Sequence, residues 1–255
     1  MSKLDDRKVV LEISHLHKEY DKNAVINDLS LNVYEGEVVV IVGSSGCGKS
    51  TLLRCINLLE DIQGGEIKLY GELISNRKKN LPEIRQKIGM VFQNYELFPH
   101  KNVLDNIILA PIKVQKRNKT EVVDEAKSLL KRVGLEDKAY SMPSQLSGGQ
   151  KQRVAIVRAL CMHPEILLFD EVTASLDPEM TREVLEVILE LARVGRTMLV
   201  VTHEMQFARA VADRIVFIDE GAIIEENSPD EFFTAPKTEK AKAFMNTFTY
   251  KSKRK

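Results

Sequence analysis

One stretch of the sequence, residues 38–59, restricts the possible folds more than any other. The apolar run Val38–Val42 has the length and β-branched composition of a buried strand. The glycine- and serine-rich turn Gly43–Gly48 follows it directly. Apolar residues then recur at helical spacing, at Leu52, Leu53, Ile56 and Leu59. A strand, a glycine turn and a helix in immediate succession are typical of an α/β protein.

The rest of the chain repeats this alternation. Further apolar strands are predicted at Ile88–Phe92, Ile166–Asp170 and Thr197–Val201, and helical patterns separate them. This order favours a mainly parallel sheet, in which ligands bind beyond the carboxyl ends of the strands. Alternating apolar residues between Val9 and Val33 predict an N-terminal β-subdomain, expected to be antiparallel. Residues 94–145 lack strand patterning, and their clearest helix starts near Thr120, so we expect a helical insertion there.

Composition excludes several classes of protein. Lys+Arg and Asp+Glu number 37 each, and this lack of net charge argues against a general affinity for nucleic acid. The apolar runs are far shorter than the ~18 residues that span a bilayer. Three cysteines, Cys47, Cys55 and Cys161, have no paired spacing that would suggest disulfides or a zinc site. Residues 1–8 lack the apolar core of a signal peptide, so a reducing cytoplasm is expected.

The turn after the first buried strand fits the pattern G-x-x-x-x-G-K-[S/T], in the strand-to-helix context that makes this match informative. Its glycines allow the backbone N–H groups to point inward, and the helix N-terminus adds positive potential that suits a β-phosphate. Lys49 would reach the β- and γ-phosphates, and Ser50 would bind Mg²⁺. The plainer alternative is a glycine-rich turn with an exposed lysine. The residues predicted to bind nucleotide are Gly43, Ser44, Ser45, Gly46, Cys47, Gly48, Lys49, Ser50 and Thr51.

Two interpretations of Cys47 are open. Its position near a helix N-terminus could lower its pKa and make the thiol sensitive to oxidation. We favour the other interpretation, a buried small side chain. The loop alone does not separate a kinase, a GTPase and an ATPase.

Two carboxylates follow the strand Ile166–Asp170. Asp170 ends the strand, as expected of a carboxylate that holds Mg²⁺ through water. Glu171, the next residue, can orient and polarise a water for in-line attack on a γ-phosphate, a role commonly worth ~10² to 10⁴ in rate. The alternative for an acidic pair after a strand is a helix-capping turn.

A second glycine-rich segment, Leu146–Gln150, reads Leu-Ser-Gly-Gly-Gln and precedes a helix. The Ser147 hydroxyl and the bare backbone of Gly148 and Gly149 can form another anion-binding surface from N–H groups and the helix dipole. Taken alone, the segment could equally be an ordinary glycine-rich helix start.

Together these motifs resemble the ATP-binding cassette (ABC) family, the nucleotide-hydrolysing subunits of membrane transporters, from the first strand to about Phe248. The resemblance implies one domain, 1–255, with a P-loop NTPase (RecA-like) core over residues 1–92 and 157–255. Residues 93–156 would form a helical subdomain that carries the segment 146–150. It also implies a head-to-tail homodimer, in which the glycine loop of one copy and this segment of the other enclose ATP. The residues implied to bind ATP in trans are Ser147, Gly148, Gly149 and Gln150.

The same resemblance gives roles to single residues. Tyr20 would stack on adenine, although a tyrosine in a loop is often only packing. Gln93 would bind Mg²⁺ and transmit the nucleotide state, and His203 would contact the γ-phosphate and act in catalysis with Glu171. Asp177 would lie at the dimer interface, although it is also a good helix N-cap. The implied Mg²⁺ ligands are Ser50, Gln93 and Asp170.

Two positions depart from the family pattern. Val172 stands where the family usually has proline, and Val157 stands where alanine is common. Loss of the proline could loosen the turn behind Glu171, which puts the hydrolysis rate in question but not nucleotide binding.

Within the family, four stretches look most like importers of polar amino acids: Leu97–Asn106, Leu109–Lys113, Val201–Met205 and Pro229–Phe233. This likeness implies an integral-membrane permease partner at the cytoplasmic face of the plasma membrane and, indirectly, a substrate-binding protein. A permease helix would contact Gln93, Glu96, Phe98 and Pro99.

Two other functions are weighed against the transporter subunit. A cassette ATPase acting on nucleic acid or the ribosome would usually carry coiled-coil arms, zinc modules or a second cassette, and nucleic acid is not expected as a partner here. A P-loop kinase leaves residues 146–150 unexplained.

Overall fold

The computed structural model describes residues 7–75 and 80–248, and the chain divides into two compact units. Unit 1 consists of residues 1–79 and 199–255, and unit 2 consists of residues 80–198. No helix in the described ranges is long and apolar enough to cross a membrane.

Unit 1 contains a four-stranded antiparallel sheet. Its strands are β1 (Val9–Tyr20), β2 (Asn23–Tyr34), β4 (Gly64–Leu69) and β5 (Glu72–Leu73), in the order β2-β1-β4-β5. In β1, Leu11 lies opposite Val33 of β2 and Leu69 of β4, and all three side chains are buried. The period-two pattern of the sequence therefore sets the register, and the predicted antiparallel subdomain is confirmed.

The second group of strands in unit 1 begins with β3 (Val38–Gly43), which is buried at every residue. It pairs in parallel with β9 (Arg214–Asp219), and β10 (Ala222–Asn227) pairs with β9 in the antiparallel sense. The chain therefore turns back at residues 219–221 in a β-hairpin. The helices of unit 1 are α1 (Lys49–Ile56), α7 (Met205–Val211), α8 (Pro229–Thr234) and α9 (Glu239–Asn246).

Unit 2 contains the parallel pair β6 (Ile88–Val91) and β7 (Ile166–Asp170), both wholly buried. The strand β8 (Thr197–Val201) starts in unit 2 and ends in unit 1. Outside the four-stranded antiparallel sheet and the β10 edge, β3 pairs in parallel with β9 and β6 with β7, which confirms the α/β class. The helices of unit 2 are α2 (Leu81–Lys87), α3 (Val103–Lys113), α4 (Lys119–Arg132), α5 (Gly148–Leu160) and α6 (Pro178–Arg193).

Helices α3, α4 and α5 share an apolar core in unit 2. Ile107, Leu130 and Val154, one from each helix, are completely buried in it. The departure Val157 also belongs to this core, so its extra volume is accommodated there. The predicted helical subdomain, residues 93–156, lies inside unit 2, and its boundaries remain a prediction.

Some elements differ from the prediction. No separate helix is predicted at residues 103–113 within the helical insertion, yet α3 forms there, and Asn102 caps it by accepting a hydrogen bond from the Asp105 N–H at 2.7 Å. Helix α1 ends at Ile56, so Leu59 lies beyond it and is exposed. Tyr20 is the last residue of β1, not part of a loop.

Two glycines, Gly64 and Gly65, are the first residues of β4. A Cβ at Gly65 would lie 2.4 Å from the His15 carbonyl oxygen, and its φ is +84°. The strands β1 and β4 therefore approach closely at an irregular register, which only glycine permits.

Candidate functional site

The loop 43–48 joins β3 to α1 in unit 1 and needs glycine at both ends. A Cβ at Gly43 would lie 2.0 Å from the carbonyl oxygen of Ile218, and one at Gly48 would lie 2.9 Å from that of Val25. Gly48 also has a left-handed φ of +102°. The tip residues Ser44, Ser45 and Gly46 are exposed. The backbone is thus bent into the tight shape that the pattern predicted.

Lys49 lies almost entirely inside this loop, with 4% of its surface exposed. Its ammonium donates hydrogen bonds to the carbonyl oxygens of Gly43 at 3.0 Å and Ser44 at 2.8 Å. The Ser44 hydroxyl donates to Asp219 Oδ1 at 3.0 Å. No carboxylate of the described chain pairs with Lys49, so its charge is not neutralised by an ion pair. The loop therefore presents a positive centre suited to an anion.

Cys47 is buried in the same loop, with its Sγ 3.9 Å from the Lys49 ammonium. Burial raises the pKa of the thiol, and this effect outweighs the opposing influence of Lys49. The idea that the helix N-terminus lowers this pKa is therefore wrong, and the buried small side chain is the interpretation that fits.

Tyr20 lies beside the start of α1. The Lys18 ammonium lies 4.3 Å from the Tyr20 ring centroid, and the side chains of Glu60 and Thr51 influence the pKa of its hydroxyl. Burial, with Glu60 next in importance, raises the pKa of Tyr20. The ring is 39% exposed, so an aromatic surface lies beside Thr51 of the loop helix. His203, which follows β8 in unit 1, is exposed.

In unit 2, the two predicted carboxylates lie at the end of β7. Asp170 is 4% exposed, and Glu171 is half-buried. Glu171 has a left-handed φ of 45°, a conformation that costs free energy in a residue with a Cβ. Such strain is characteristic of functional sites. The departure Val172 is buried directly behind it. Gln93, which follows β6, is exposed.

The segment 146–150 starts helix α5 with reciprocal hydrogen bonds. The Gln150 N–H donates to the Ser147 hydroxyl at 3.2 Å, and the Ser147 N–H donates to Gln150 Oε1 at 3.0 Å. The Gly149 N–H donates to Met180 Sδ at 3.4 Å. Three N–H groups of the expected anion-binding surface are therefore engaged within the chain, two of them in a capping box.

Both glycines of this segment are tightly packed. A Cβ at Gly148 would lie 2.8 Å from Leu176 Cδ2 and 3.0 Å from the Tyr95 hydroxyl, and one at Gly149 would lie 2.9 Å from Met180 Cβ. Asp177 caps α6 by accepting a hydrogen bond from the Met180 N–H at 2.9 Å. The structure thus brings the segment 146–150 together with the Asp177 turn.

A contact that the sequence analysis missed lies at the other end of α5. Arg158 donates hydrogen bonds to the carbonyl oxygens of Tyr95 at 3.0 Å and Glu96 at 2.5 Å. Both of these residues have left-handed φ angles, 61° and 50°. Burial lowers the pKa of Arg158. The only local signal was a charged residue inside the apolar run 154–161.

Unit 2 also has a cavity of about 520 Å³ beside α3 and α5. Its lining includes Phe98, Met90 and Val114, and its charged residues are the three cations Arg85, Lys113 and Arg158. No acidic side chain lines it within the described chain. Of the residues predicted to meet a permease helix, Phe98 lines this cavity, whereas Gln93, Glu96 and Pro99 do not.

The predicted Mg²⁺ ligands suit a metal shared with phosphate. Ser50, Gln93 and Asp170 all offer oxygen atoms, and only Asp170 carries a charge. In the part of the chain that the structure describes, no group of three His, Cys, Asp or Glu residues could hold a metal alone. Mg²⁺ typically takes one or two protein carboxylates and completes its shell with water and phosphate oxygens, which fits this donor set.

Comparison with known proteins gives consistent matches. The sequence profile described as ABC transporter matches residues 26–174. The glutamine transport ATP-binding protein GlnQ of Bacillus subtilis is 53% identical over 237 residues, covering 93% of this chain and 98% of GlnQ. The arginine transport ATP-binding protein ArtM of Bacillus subtilis is 50% identical over 92% of this chain and 98% of ArtM. The glutamate/aspartate import ATP-binding protein GltL of Escherichia coli K12 is 51% identical over 92% of this chain and 98% of GltL.

Two solved structures share the fold. One is a dimeric, post-hydrolysis ATP-binding cassette, MJ0796, bound to ADP and Pi, with a TM-score of 0.79 and 34% identity over 86% of this chain and 98% of that one. The other is cbiO1 from Clostridium perfringens, part of the transporter complex cbiONQ, with a TM-score of 0.81 and 30% identity over 89% of this chain and 92% of that one.

Proposed function

The chain belongs to the ABC transporter family and is an ATPase of that family, and from this we propose that it powers the import of a polar amino acid. The observation that carries the proposal is an identity of about half, over nearly the full length of each, to ATP-binding proteins of glutamine, arginine and glutamate/aspartate transport. Cargo selection would belong to the permease and a substrate-binding protein. The chain would act at the cytoplasmic face of the membrane through that permease.

In unit 1, the loop 43–51 would bind the phosphates through its N–H groups and Lys49, and Tyr20 would contact the adenine with the exposed part of its ring. His203 would contact the γ-phosphate. The positive charge of Lys49 supports phosphate binding by this loop, because hydrogen bonds to two carbonyl oxygens fix the ammonium while no ion pair among the described residues neutralises it. Mg²⁺ bound with ATP would offset phosphate charge, with Ser50, Gln93 and Asp170 as its protein ligands.

In unit 2, Glu171 would act as the base that orients the attacking water. Its strained backbone next to the buried Asp170 supports this role. We expect Glu171→Gln to bind ATP with near-normal affinity and to hydrolyse it ~10² to 10⁴ times more slowly. Glu165→Gln is the matched control, because Glu165 is an exposed carboxylate at the opposite end of the same strand region. Near-normal turnover by the Glu171 variant would remove it from this role.

Two copies would share each ATP, the loop 43–51 of one facing residues 147–150 of the other. The sequence has two segments of the kind expected to bind anions, residues 43–51 and 147–150, and a solved structure of this fold is a dimeric cassette bound to ADP and Pi. We choose Ser147→Asp to test this arrangement, because aspartate preserves the helix cap while its charge repels phosphate. Lys49→Ala disables the loop instead.

Neither variant alone should hydrolyse ATP. In an equal mixture, half of the pairs are mixed and one of their two sites is intact, so we expect recovery of about a quarter of the normal rate. A mixture that stays inactive, although both variants are folded and form mixed pairs, would refute a site shared between copies. Activity of Ser147→Asp alone would do the same.

The permease would dock in the cavity of unit 2 lined by Phe98. Its apolar walls and three cationic residues suit an amphipathic segment that carries an acidic side chain. We expect Phe98→Glu to abolish co-purification with the co-expressed permease while ATP binding is retained. Tyr140→Glu is the matched control, since Tyr140 is an exposed aromatic residue of unit 2 that does not line the cavity. Equal retention of permease by both variants would exclude this docking site.

A further inference from the structure

A cationic loop connects α3 to α4 in unit 2. Residues 113–119, the basic segment, contain four cations and no acidic residue. Lys113, Lys116 and Lys119 are exposed. Within the described ranges none of these three lysines takes part in an ion pair, so their charges remain available to a partner.

The basic segment is held rigidly by its other side chains. Arg117 donates a hydrogen bond to the Cys161 carbonyl oxygen at 2.9 Å and pairs with Glu125, which His163 also contacts. Gln115 Nε2 donates to the Met162 carbonyl oxygen at 2.9 Å. These hydrogen bonds fasten the segment to the chain at residues 161–163. The segment therefore keeps one shape, including a left-handed φ of 57° at Lys116, and ordering it on a partner costs little entropy.

The surroundings of the basic segment combine charge with apolar surface. Lys113 and Lys119, with Lys101, line a shallow depression of about 340 Å³ on α3, in which Asp105 is the only acidic residue of the described lining. Its floor is aliphatic, formed by Ile108, Leu109 and Ile112. Val114, between two of the lysines, is 46% exposed.

We propose that this face, made by Lys101, Lys113, Lys116, Lys119 and Val114, binds the anionic phospholipid headgroups of a bilayer surface. Lysines with long flexible stems around an exposed aliphatic residue suit the interface, where ammonium groups meet phosphodiesters and the aliphatic group enters the headgroup layer. Lys113 and Val114 also line the cavity proposed for the permease, so docking there would bring the face towards the bilayer. Only this proximity depends on the proposed function; the surface itself does not.

The test measures binding of the full-length chain, without nucleotide or permease, to phosphatidylglycerol-containing vesicles and to phosphatidylcholine vesicles by flotation. We expect binding to the anionic vesicles alone, weakening as salt shortens the Debye length. Replacing Lys113, Lys116 and Lys119 together by Gln should weaken binding about a hundredfold, since each lysine near an anionic surface contributes about a factor of five. The thermal unfolding midpoint of the variant verifies that it is folded.

The matched control replaces three other exposed lysines, Lys22, Lys127 and Lys131, by Gln, with the same change in net charge. It should bind nearly as well as the unmodified chain. Equal loss in both triple variants, or no binding of the unmodified chain to anionic vesicles at low salt, would overturn the proposal.

The variant Val114→Gln distinguishes binding to a bilayer surface from binding to a soluble polyanion. It leaves the charge unchanged and should weaken vesicle binding about fivefold, because the aliphatic contact is lost. An RNA oligonucleotide that binds the chain more tightly than the vesicles do, with no effect of Val114→Gln on either, would also overturn the proposal. A negative result in any of these lipid-binding experiments does not bear on the proposed ATP hydrolysis or on the shared nucleotide site, because those are measured without lipid.

Discussion

Replacing Arg158 by methionine tests how the backbone at Tyr95 and Glu96, just before Phe98 of the cavity in unit 2, is held. Its guanidinium donates to the carbonyl oxygens of Tyr95 and Glu96, whose left-handed backbones are unfavourable without support. Hydrogen bonds to a charged group contribute ~1.5–3 kcal/mol each, so two give ~3–6 kcal/mol. The methionine variant avoids the cost of burying a charge, which offsets part of this. We expect its free energy of unfolding to fall by ~2–4 kcal/mol.

Arg158→Lys gives an intermediate case. A lysine ammonium is a point charge and cannot serve both carbonyls as the guanidinium fork does, so about half of the loss should remain. The control is Arg182→Met, which removes an exposed i,i+4 pair with Glu186 and should change stability little. Urea unfolding followed by circular dichroism, with the m-values compared, measures all three. If Arg158→Met is as stable as the unmodified chain, or if lysine is as damaging as methionine, the reasoning is refuted.

Other groups give further measurable outcomes. Arg214→Met leaves the wholly buried Glu37 carboxylate without its ion-pair partner and should lower the free energy of unfolding by ~3–5 kcal/mol; Glu226→Gln, which removes a more exposed partner of the same guanidinium, should cost less than ~1 kcal/mol in the same urea titration. Burial disfavours the Glu125 carboxylate, but hydrogen bonds from its arginine and histidine partners outweigh this and hold its pKa below the usual value. Its stabilising contribution is complete above the unfolded-state pKa and is lost as pH falls through the folded-state pKa, so Glu125→Gln should lose less thermal stability between about pH 7 and about pH 3 than the unmodified chain. Because burial raises the pKa of Cys47, iodoacetamide should label this thiol much more slowly in the native than in the urea-unfolded chain, and equal rates would contradict its burial.

Much of the fold follows from local sequence. The unbroken apolar run at residues 166–170 forms a buried parallel strand, and Asp177 followed by proline begins α6 as an N-cap predicts. Helix α3 was not predicted because Pro111 interrupts its apolar pattern and usually breaks a helix, whereas here the proline fits within the helix. The strand position of Gly65 depends on contact with His15, fifty residues earlier in the chain, and no local pattern reports such a contact.

In the candidate site, too, the features that form contiguous motifs could be predicted from the sequence, and those that depend on tertiary contacts could not. The loop 43–51, the segment 146–150 and the pair Asp170–Glu171 are contiguous motifs, so their positions and element contexts could be predicted, while their chemical roles remain predictions. Two hydrogen bonds of the site are tertiary contacts: the Gly149 N–H donates to Met180 Sδ, and Arg158 donates to the Tyr95 carbonyl oxygen. Such contacts leave no local pattern in the sequence, because the partners lie on elements that meet only after folding.

The left-handed backbone of Glu171 has a consequence for how inactive variants should be judged. Glycine adopts this conformation without a steric penalty, whereas glutamate retains it at a cost of roughly 1–2 kcal/mol. The chain therefore keeps a less stable backbone conformation at the carboxylate that we propose for catalysis, and such an exchange of stability for activity is common in enzymes. A Glu171→Gly variant would be relieved of this steric cost while lacking the carboxylate, so a raised melting temperature of that variant would report relieved backbone strain and not better hydrolysis.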